Sequence, residues 1–237
     1  MTALGKWEVS YRTASAGELH EPWPLGAAGS LSTRMIAVCS PLGASLVLGS
    51  AQKDPELTES ALRDAGIEVT RRSSGGGAVL VSQGAQVWID VWLPRGDVLW
   101  DDDVLRSSAW LGDAWRRALS DQGLDDLSVS GASKRSEWSE AVCFAGLGPG
   151  EVLWKGRKLV GLSQRRTRHG ARFLTMSPLG PVGPPLESLL RIGDTERASL
   201  AALLGSEATC LEDAFGNGAG LYDRITESVI ASIGSIG

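Results

Sequence analysis

The chain has 237 residues, 43% of them hydrophobic, and a formal net charge of −5. That much apolar material supports a real core in one large domain or two small ones, and the acidic balance excludes general binding to nucleic acid or to an anionic membrane. Cys39, Cys143 and Cys210 are odd in number and lack CxxC or Cys/His ligand spacing, so neither a disulfide framework nor a zinc site is indicated; residues 1–6 carry no apolar signal core and no run reaches the roughly 18 apolar residues of a membrane helix, which makes a cytoplasmic protein the expectation.

Trp7-Glu8-Val9-Ser10-Tyr11-Arg12-Thr13 alternates apolar and polar side chains, as a half-buried strand does. Residues 14–34, rich in Gly, Ala, Ser and Pro, read as a loop with room for a short helical turn. Residues 35–39 form an apolar strand, Pro41-Leu42-Gly43 turns the chain, and residues 45–50 read as the hairpin partner. Asp54-Pro55-Glu56-Leu57 has the chemistry of a helix start, with a capping acid and a proline fit for the first turn, and Gly66 ends that helix. Residues 66–70 are a β-branched strand leading into the glycine-rich stretch discussed below, and residues 78–81 and 87–92 are two further strands. Asp101-Asp102-Asp103 opens a helix to about Leu119, its acids serving as caps at the positive end rather than as metal ligands. A short strand falls near Leu127-Ser128-Val129. Residues 151–154 and 159–164 are strands around the turn Lys155-Gly156-Arg157, and Arg168-His169-Gly170 turns into a last strand at 171–175. Short helices follow, one capped by Asp194, the last with Leu221, Ile225 and Val229 on one face. One domain over residues 1–180, with a helical tail over 181–237 packed on it, is the simplest division.

Two stretches stand out. Thr70-Arg71-Arg72-Ser73-Ser74-Gly75-Gly76-Gly77-Ala78-Val79 places two guanidinium groups, two hydroxyls and three glycines after a strand. Consecutive glycines cost backbone entropy and belong where a side chain would obstruct, so bare N–H groups and forked arginines there suit an anion or carbonyl; a flexible surface turn is the plain alternative. Trp154-Lys155-Gly156-Arg157-Lys158-Leu159-Val160-Gly161-Leu162-Ser163-Gln164 sends Lys158 into an apolar strand, where an inward ammonium would need an anion; a solvated hairpin lysine is the alternative. Gly161 marks a close approach. Cys143 lies 15 residues before Lys158 in a Phe/Gly-rich loop and is either a nucleophile beside a cation or a small buried apolar residue. Arg165, Arg166, Arg168, His169 and Arg172 form a local basic cluster, and Trp88, Trp92 and Trp154 are candidates for an apolar wall.

Arg71-Arg72-Ser73-Ser74-Gly75-Gly76-Gly77-Ala78-Val79 resembles the RRxSGGGAV signature of the lipoate-protein ligase A family, within the biotin/lipoate A/B protein ligase superfamily. Gly156-Arg157-Lys158-Leu159-Val160-Gly161-Leu162-Ser163-Gln164-Arg165 is similar to its GrKixGsaqR segment, and Leu48-Gly49-Ser50-Ala51-Gln52 to its iGxxQ strand end. The resemblance implies an α/β (α+β) fold of class II synthetase or biotin/lipoate ligase kind, a mostly antiparallel central sheet flanked by helices. It implies activation of lipoate or octanoate with ATP and Mg2+ to an acyl-adenylate, then transfer to a lysine of a lipoyl carrier domain, from a 2-oxoacid dehydrogenase E2 or the glycine cleavage H protein. By motif position Lys158 would act on the carbonyl and α-phosphate. Arg72, Ser74, Gly75, Gly76, Gly77, Ala78, Gly161 and Ser163 would contact the acyl substrate, the three glycines along its chain. Arg71, Arg72 and Lys158 would hold the nucleotide, and no residue is assigned to a metal. The sequence departs from the family pattern where Leu80-Val81-Ser82-Gln83 replaces a usual His, and where Glu151 is the nearest acid to an absent Asn-Asp pair. The resemblance also covers octanoyltransferases that use a cysteine thioester and no ATP, a role for Cys143 here. A non-catalytic acyl-binding homologue is the third reading.

Overall fold

The computed structural model describes residues 2–4, 7–21, 33–181 and 183–237, the first of these as backbone only. A large sheet runs in spatial order β1 (Thr2–Leu4), β2 (Trp7–Ala14), β3 (Arg34–Pro41), β7 (Gln86–Pro94), β11 (Gly170–Pro178), β10 (Arg157–Arg166), β9 (Val152–Trp154), β8 (Leu127–Val129). A small sheet sets β4 (Ala44–Leu48) between β5 (Ile67–Arg71) and β6 (Val79–Val81). The β2–β3 and β4–β5 pairs are parallel and the other pairings antiparallel, so the mostly antiparallel α/β architecture expected from the resemblance is present.

β7 shows why the sheet sits in the middle. Its alternate residues Val87, Ile89, Val91 and Leu93 bury on one face, against α3 (Ala109–Asp121) and α7 (Leu221–Gly234). Trp88 and Trp92 bury on the other, with Val47 and Val81 of the small sheet and Leu19 of α1 (Ala16–His20). A strand with both faces covered reads as a near-continuous apolar run. Asp90 interrupts that run fully buried, and Arg172 of the neighbouring β11 answers it, Nε to Oδ2 at 3.0 Å. The Arg172 fork also donates to the carbonyls of Leu19, His20 and Glu21, which ties α1 to the sheet. Leu221, Ile225 and Val229 form the buried stripe of α7. The remaining helices are α2 (Glu59–Asp64), α4 (Leu186–Leu189), α5 (Asp194–Glu207) and α6 (Leu211–Phe215).

The structure departs from the sequence reading at four places. Residues 35–39 and 45–50 are no hairpin: β3 has its edges filled by β2 and β7, and the Pro41–Gly43 turn sends β4 into the other sheet. Residues 54–57 are not helical, because their backbone is claimed elsewhere. Arg191 N–H donates to Glu56 O, Thr58 N–H donates to Leu189 O, and α2 starts only at Glu59. The Asp101–Asp103 triplet lies ahead of α3, which begins at Ala109. Asp101 and Asp103 accept the N–H two residues on, the local turn habit of aspartate, and both pair with Arg106. Gly193, not Asp194, caps α5, and the Glu196 carboxylate accepts the Gly193 N–H. Part of the expected loop, residues 22–32, lies outside the described residues.

The glycine stretch leaves the small sheet after β5, whereas Lys158 stands on β10 of the large one. The site is therefore built where the two sheets face each other.

Candidate active site

A two-residue turn starts β10, with Lys155 and Gly156 both at positive φ, the conformation a tight hairpin demands. A bulge against β9 between Lys158 and Val160 then breaks the alternation. Leu159 and Val160 both enter the core, and Lys158 is re-aimed across the sheet end. Lys158 is 3% exposed. Its Nζ donates to Cys143 O at 2.8 Å and Gly146 O at 3.0 Å and pairs with Glu151 Oε1 at 2.8 Å, which accounts for its three protons. Phe144 places its ring 4.9 Å beneath the same ammonium. Glu151, also 3% exposed, accepts the Leu162 and Gly148 N–H groups besides the lysine. The inward lysine has its anion, and the solvated alternative does not hold.

The glycine loop is locked by the residues around it. Ala78 N–H donates to Ala141 O and Cys143 N–H to Ala78 O, a bridge that docks the loop on the segment carrying Cys143. A Cβ on Gly77 would lie 2.5 Å from Val142 N, and one on Gly49 would lie 1.8 Å from Gly76 O; both glycines exist for close backbone approach. Gly76 has φ +102°, whereas a Cβ on Gly75 would meet nothing within 4 Å. Gln52 braces the same corner, its side chain bonded to Gly49 N–H and Ala141 O.

A cleft of about 350 Å³ opens between these parts, lined by Gly75, Gly76, Gly77, Cys143, Glu151 and Lys158, with Lys134, Arg135 and the Gly146–Pro149 backbone on its rim. Beside it lies an apolar slot of about 50 Å³, walled by His20, Val79, Trp88, Phe144, Leu174 and Met176. Cys143, Leu162 and Ser163 line both spaces. The thiol of Cys143 thus stands at the mouth of the slot, with Lys158 Nζ 4.0 Å from Sγ. His20, on α1, is 7% exposed, its Nδ1 has no partner among the described residues, and its ring stacks 4.7 Å from Trp88. Burial, aided by the Arg172 and Arg72 cations, pushes its pKa down to about 3.

The predicted site residues sort unevenly. Lys158, Cys143, Gly75, Gly76, Gly77 and Ser163 line the cleft. The glycines do not border the apolar slot; Val79, Trp88 and Met176 do. Arg72 is turned inward, where it borders the apolar slot and donates to the carbonyls of Val47, Gly75 and Gly77. Its fork holds the loop rather than standing free for a carboxylate or phosphate. Arg71 likewise sits on the carbonyls of Gly49 and Gln52 and on Asp54, away from the cleft. Ser74 Oγ bonds Ser163 Oγ at 2.9 Å, a link between the two sheets, and Gly161 lies 3.4 Å below Phe144 as judged from an added Cβ. Ala78 acts through its backbone. The basic cluster is not one face: Arg172 is buried on Asp90, Arg166 lies over Trp100, and Arg168 bonds His169. Of the three tryptophans, Trp88 walls the slot, Trp92 lies under Arg172, and Trp154 packs against the core.

Residues 35–230 match the family described as the lipoyl protein ligase A/B catalytic domain. The chain belongs to that family. Its described members are catalytic domains of ligases, enzymes that act on a protein lysine. The fold is similar to lipoate-protein ligase A solved with ATP (13% identity, 97% of this chain and 84% of that one, TM-score 0.68). It is also similar to a Thermoplasma acidophilum protein solved with lipoic acid (12%, 97% and 85%, 0.68). A third likeness is to the bi-partite lipoate protein ligase of the same organism, studied with its E2 lipoyl domain (14%, 95% and 83%, 0.66). Among curated proteins no sequence matches. For this member of the lipoyl protein ligase family, sequence reasoning missed Lys134, Arg135, Phe144, Met176 and His20 as neighbours of the site. The Phe next to Cys143 carried a local signal; Lys134 and Arg135 come from the loop nine and eight residues before that cysteine, and His20 on α1 and Met176 on β11 are brought in from far along the chain.

Proposed function

We propose that this protein transfers an eight-carbon acyl group, octanoyl or lipoyl, to a lysine of a lipoyl carrier domain through a thioester on Cys143. The observation that carries this reading is the place of Cys143, where the polar cleft meets the apolar slot with the Lys158 ammonium beside its sulfur. Cys143 Sγ attacks the carbonyl carbon of an acyl thioester. The donor's C–S bond breaks, and the donor leaves as a thiol with the proton that Cys143 gives up. The carrier's neutral lysine amine then attacks the Cys143 thioester. A C–N bond forms, the C–S bond breaks, and the amine proton passes to the sulfur. Lys158 supplies the cation for the oxygen that gains charge in both steps. To meet it, the ammonium exchanges one of its two loop carbonyls for the acyl oxygen. Next to the cleft lies a groove of about 610 Å³ lined by Lys53, Gln52, Arg135 and Ser139. Asp54 and Glu140 line the same groove, Glu140 paired with Arg135 and Asp54 with Arg71, so its charges balance and Lys53 is the cation left to meet an acidic carrier loop.

ATP-dependent ligation, with Lys158 on the acyl-adenylate, is the second reading. The room in the cleft favours it, whereas the Lys134 and Arg135 cations on its rim are paired with Glu207 and Glu140. The magnesium that the resemblance implies does not fit the side chains present. Glu151 is the carboxylate lining the cleft, both its oxygens are engaged, and no group of three His, Cys, Asp or Glu that could hold a metal exists among the described residues. No step is derived through it.

Incubation with an apo carrier domain separates the two. The expected result is acceptor mass gain with an octanoyl thioester of acyl carrier protein and no ATP, and, without acceptor, an acyl adduct on the enzyme that Cys143→Ser abolishes. Acceptor labelling only with ATP plus free acid, undiminished in Cys143→Ser, would overturn the thioester reading.

A further inference from the structure

The apolar slot ends against a partition one side chain thick. Val79, Phe144 and Met176 wall the slot on one side and, on the other, a second cavity of about 210 Å³, roughly four times larger. That cavity is lined by apolar groups of Ala78, Leu80, Val142, Pro178, Leu186 and Leu204, beneath α4 and α5. Phe144 and Met176 are half-buried although their neighbours Ala145, Thr175 and Ser177 are buried, as side chains with space on both sides would be.

The partition's members differ in freedom. Phe144 is held: the Lys158 ammonium sits 4.9 Å from its ring, and Gly161 approaches so closely that a Cβ there would touch it at 3.4 Å. Val79 is β-branched and stiff at χ1. Met176 is unbranched, with three rotatable bonds, and adapts to the space offered. It projects from β11 between two buried neighbours and is the one member able to turn aside without moving the backbone.

Resting on the acyl-transfer reading above, we propose that Met176 sets the acyl chain length. It closes the far end of the slot, and the cavity behind it is a latent extension of the same site, fit for the methylene tail of a longer saturated acyl group. A methylene entering such a space gains about fourfold in affinity. Removing the partition therefore converts a penalty for added length into a gain.

The test is isothermal titration of the full chain with octanoate and dodecanoate, comparing wild type, Met176→Ala and Met176→Ala/Leu204→Trp, with Met176→Val as a milder substitute should the alanine variant fail to fold. Wild type is expected to bind octanoate at least as tightly as dodecanoate. Met176→Ala raises dodecanoate over octanoate by tenfold or more, and the added tryptophan, filling the rear cavity, takes that gain away. A dodecanoate-to-octanoate ratio unmoved by the Met176 variants overturns the partition while leaving the acyl site standing, as does a wild type that already prefers dodecanoate by fourfold per methylene. If no acid of either length binds any of the proteins, and octanoyl and dodecanoyl thioesters leave no adduct on Cys143 either, the acyl site itself is refuted and the partition with it.

Discussion

At the scale of single residues, the site is a contest over one ammonium. Lys158 and Glu151 are both buried, and among the described residues each is the other's only opposite charge at bonding distance. Removing one partner of such a pair leaves an uncompensated charge and costs about 3 kcal/mol or more, whereas removing both together can be nearly neutral. Lys158→Met and Glu151→Gln are expected to destabilise singly by that amount in urea denaturation, and the double variant to recover most of it while remaining inactive. His20 offers a second test at this scale. Its pKa of about 3 in the fold lies below the ordinary histidine value of 6.5, so the folded state binds fewer protons than the unfolded chain between those values. The contribution is intact above pH 6.5 and lost progressively as pH falls toward 3. Wild type should lose about 2 kcal/mol more than His20→Leu between pH 7 and pH 5, measured as the difference in unfolding free energy.

At the scale of elements, the glycine loop and the Cys143 segment are one unit, because each completes the other's backbone hydrogen bonds. An alanine at 77 must push Val142 away, an overpacking cost of about 1–3 kcal/mol, and it shifts Cys143 as it does so. An alanine at 75 meets empty space. Gly77→Ala is expected to lower acyl transfer at least tenfold and to reduce thermal stability, while Gly75→Ala leaves stability within about 0.5 kcal/mol; calorimetry and a carrier-acylation assay check both. The motif itself was plain in the sequence, as was the strand carrying Lys158, since glycines and alternation are local signals. What the arginines do was not. Arg71 and Arg72 look like ligand forks in a one-dimensional reading, yet both are engaged within the protein, Arg71 by the Gly49 and Gln52 carbonyls and the Asp54 carboxylate and Arg72 by the Val47, Gly75 and Gly77 carbonyls. The early helix starts at Asp54 and Asp101 were misread for a similar reason. Capping residues also make turns, and backbone partners from residues 189–191 decide the matter at the first of them.

At the scale of the whole molecule, one buried ion pair reinforces the β11–β7 ladder and helps hold α1 on the sheet. Arg172→Met would strand the Asp90 carboxylate, fully buried, with Trp88 Nε1 as its remaining close donor. The expected loss is about 3–5 kcal/mol, or roughly 10 °C in Tm for a chain of this size, with the slot loosened because His20 hangs from the same helix end. Sequence periodicity could not announce this pair: Asp90 and Arg172 are 82 residues apart and lie on adjacent strands only after folding. Likewise the division into two sheets was invisible, since β3 and β4 are joined by a turn short enough for a hairpin.

That division has a mechanical consequence. Cys143 and the bare loop are anchored through β5 and β6, the ammonium through β10, and the serine hydroxyl pair at 74 and 163 is a direct side-chain bond between the two supports. A small change in their spacing would widen the mouth of the slot without breaking a single rung of either ladder. The Lys158 bonds to the Cys143 and Gly146 carbonyls and the packing of Trp88 on Val47 and Val81 resist that change, so the two plates are clasped by polar bonds at the mouth and by apolar contact behind it.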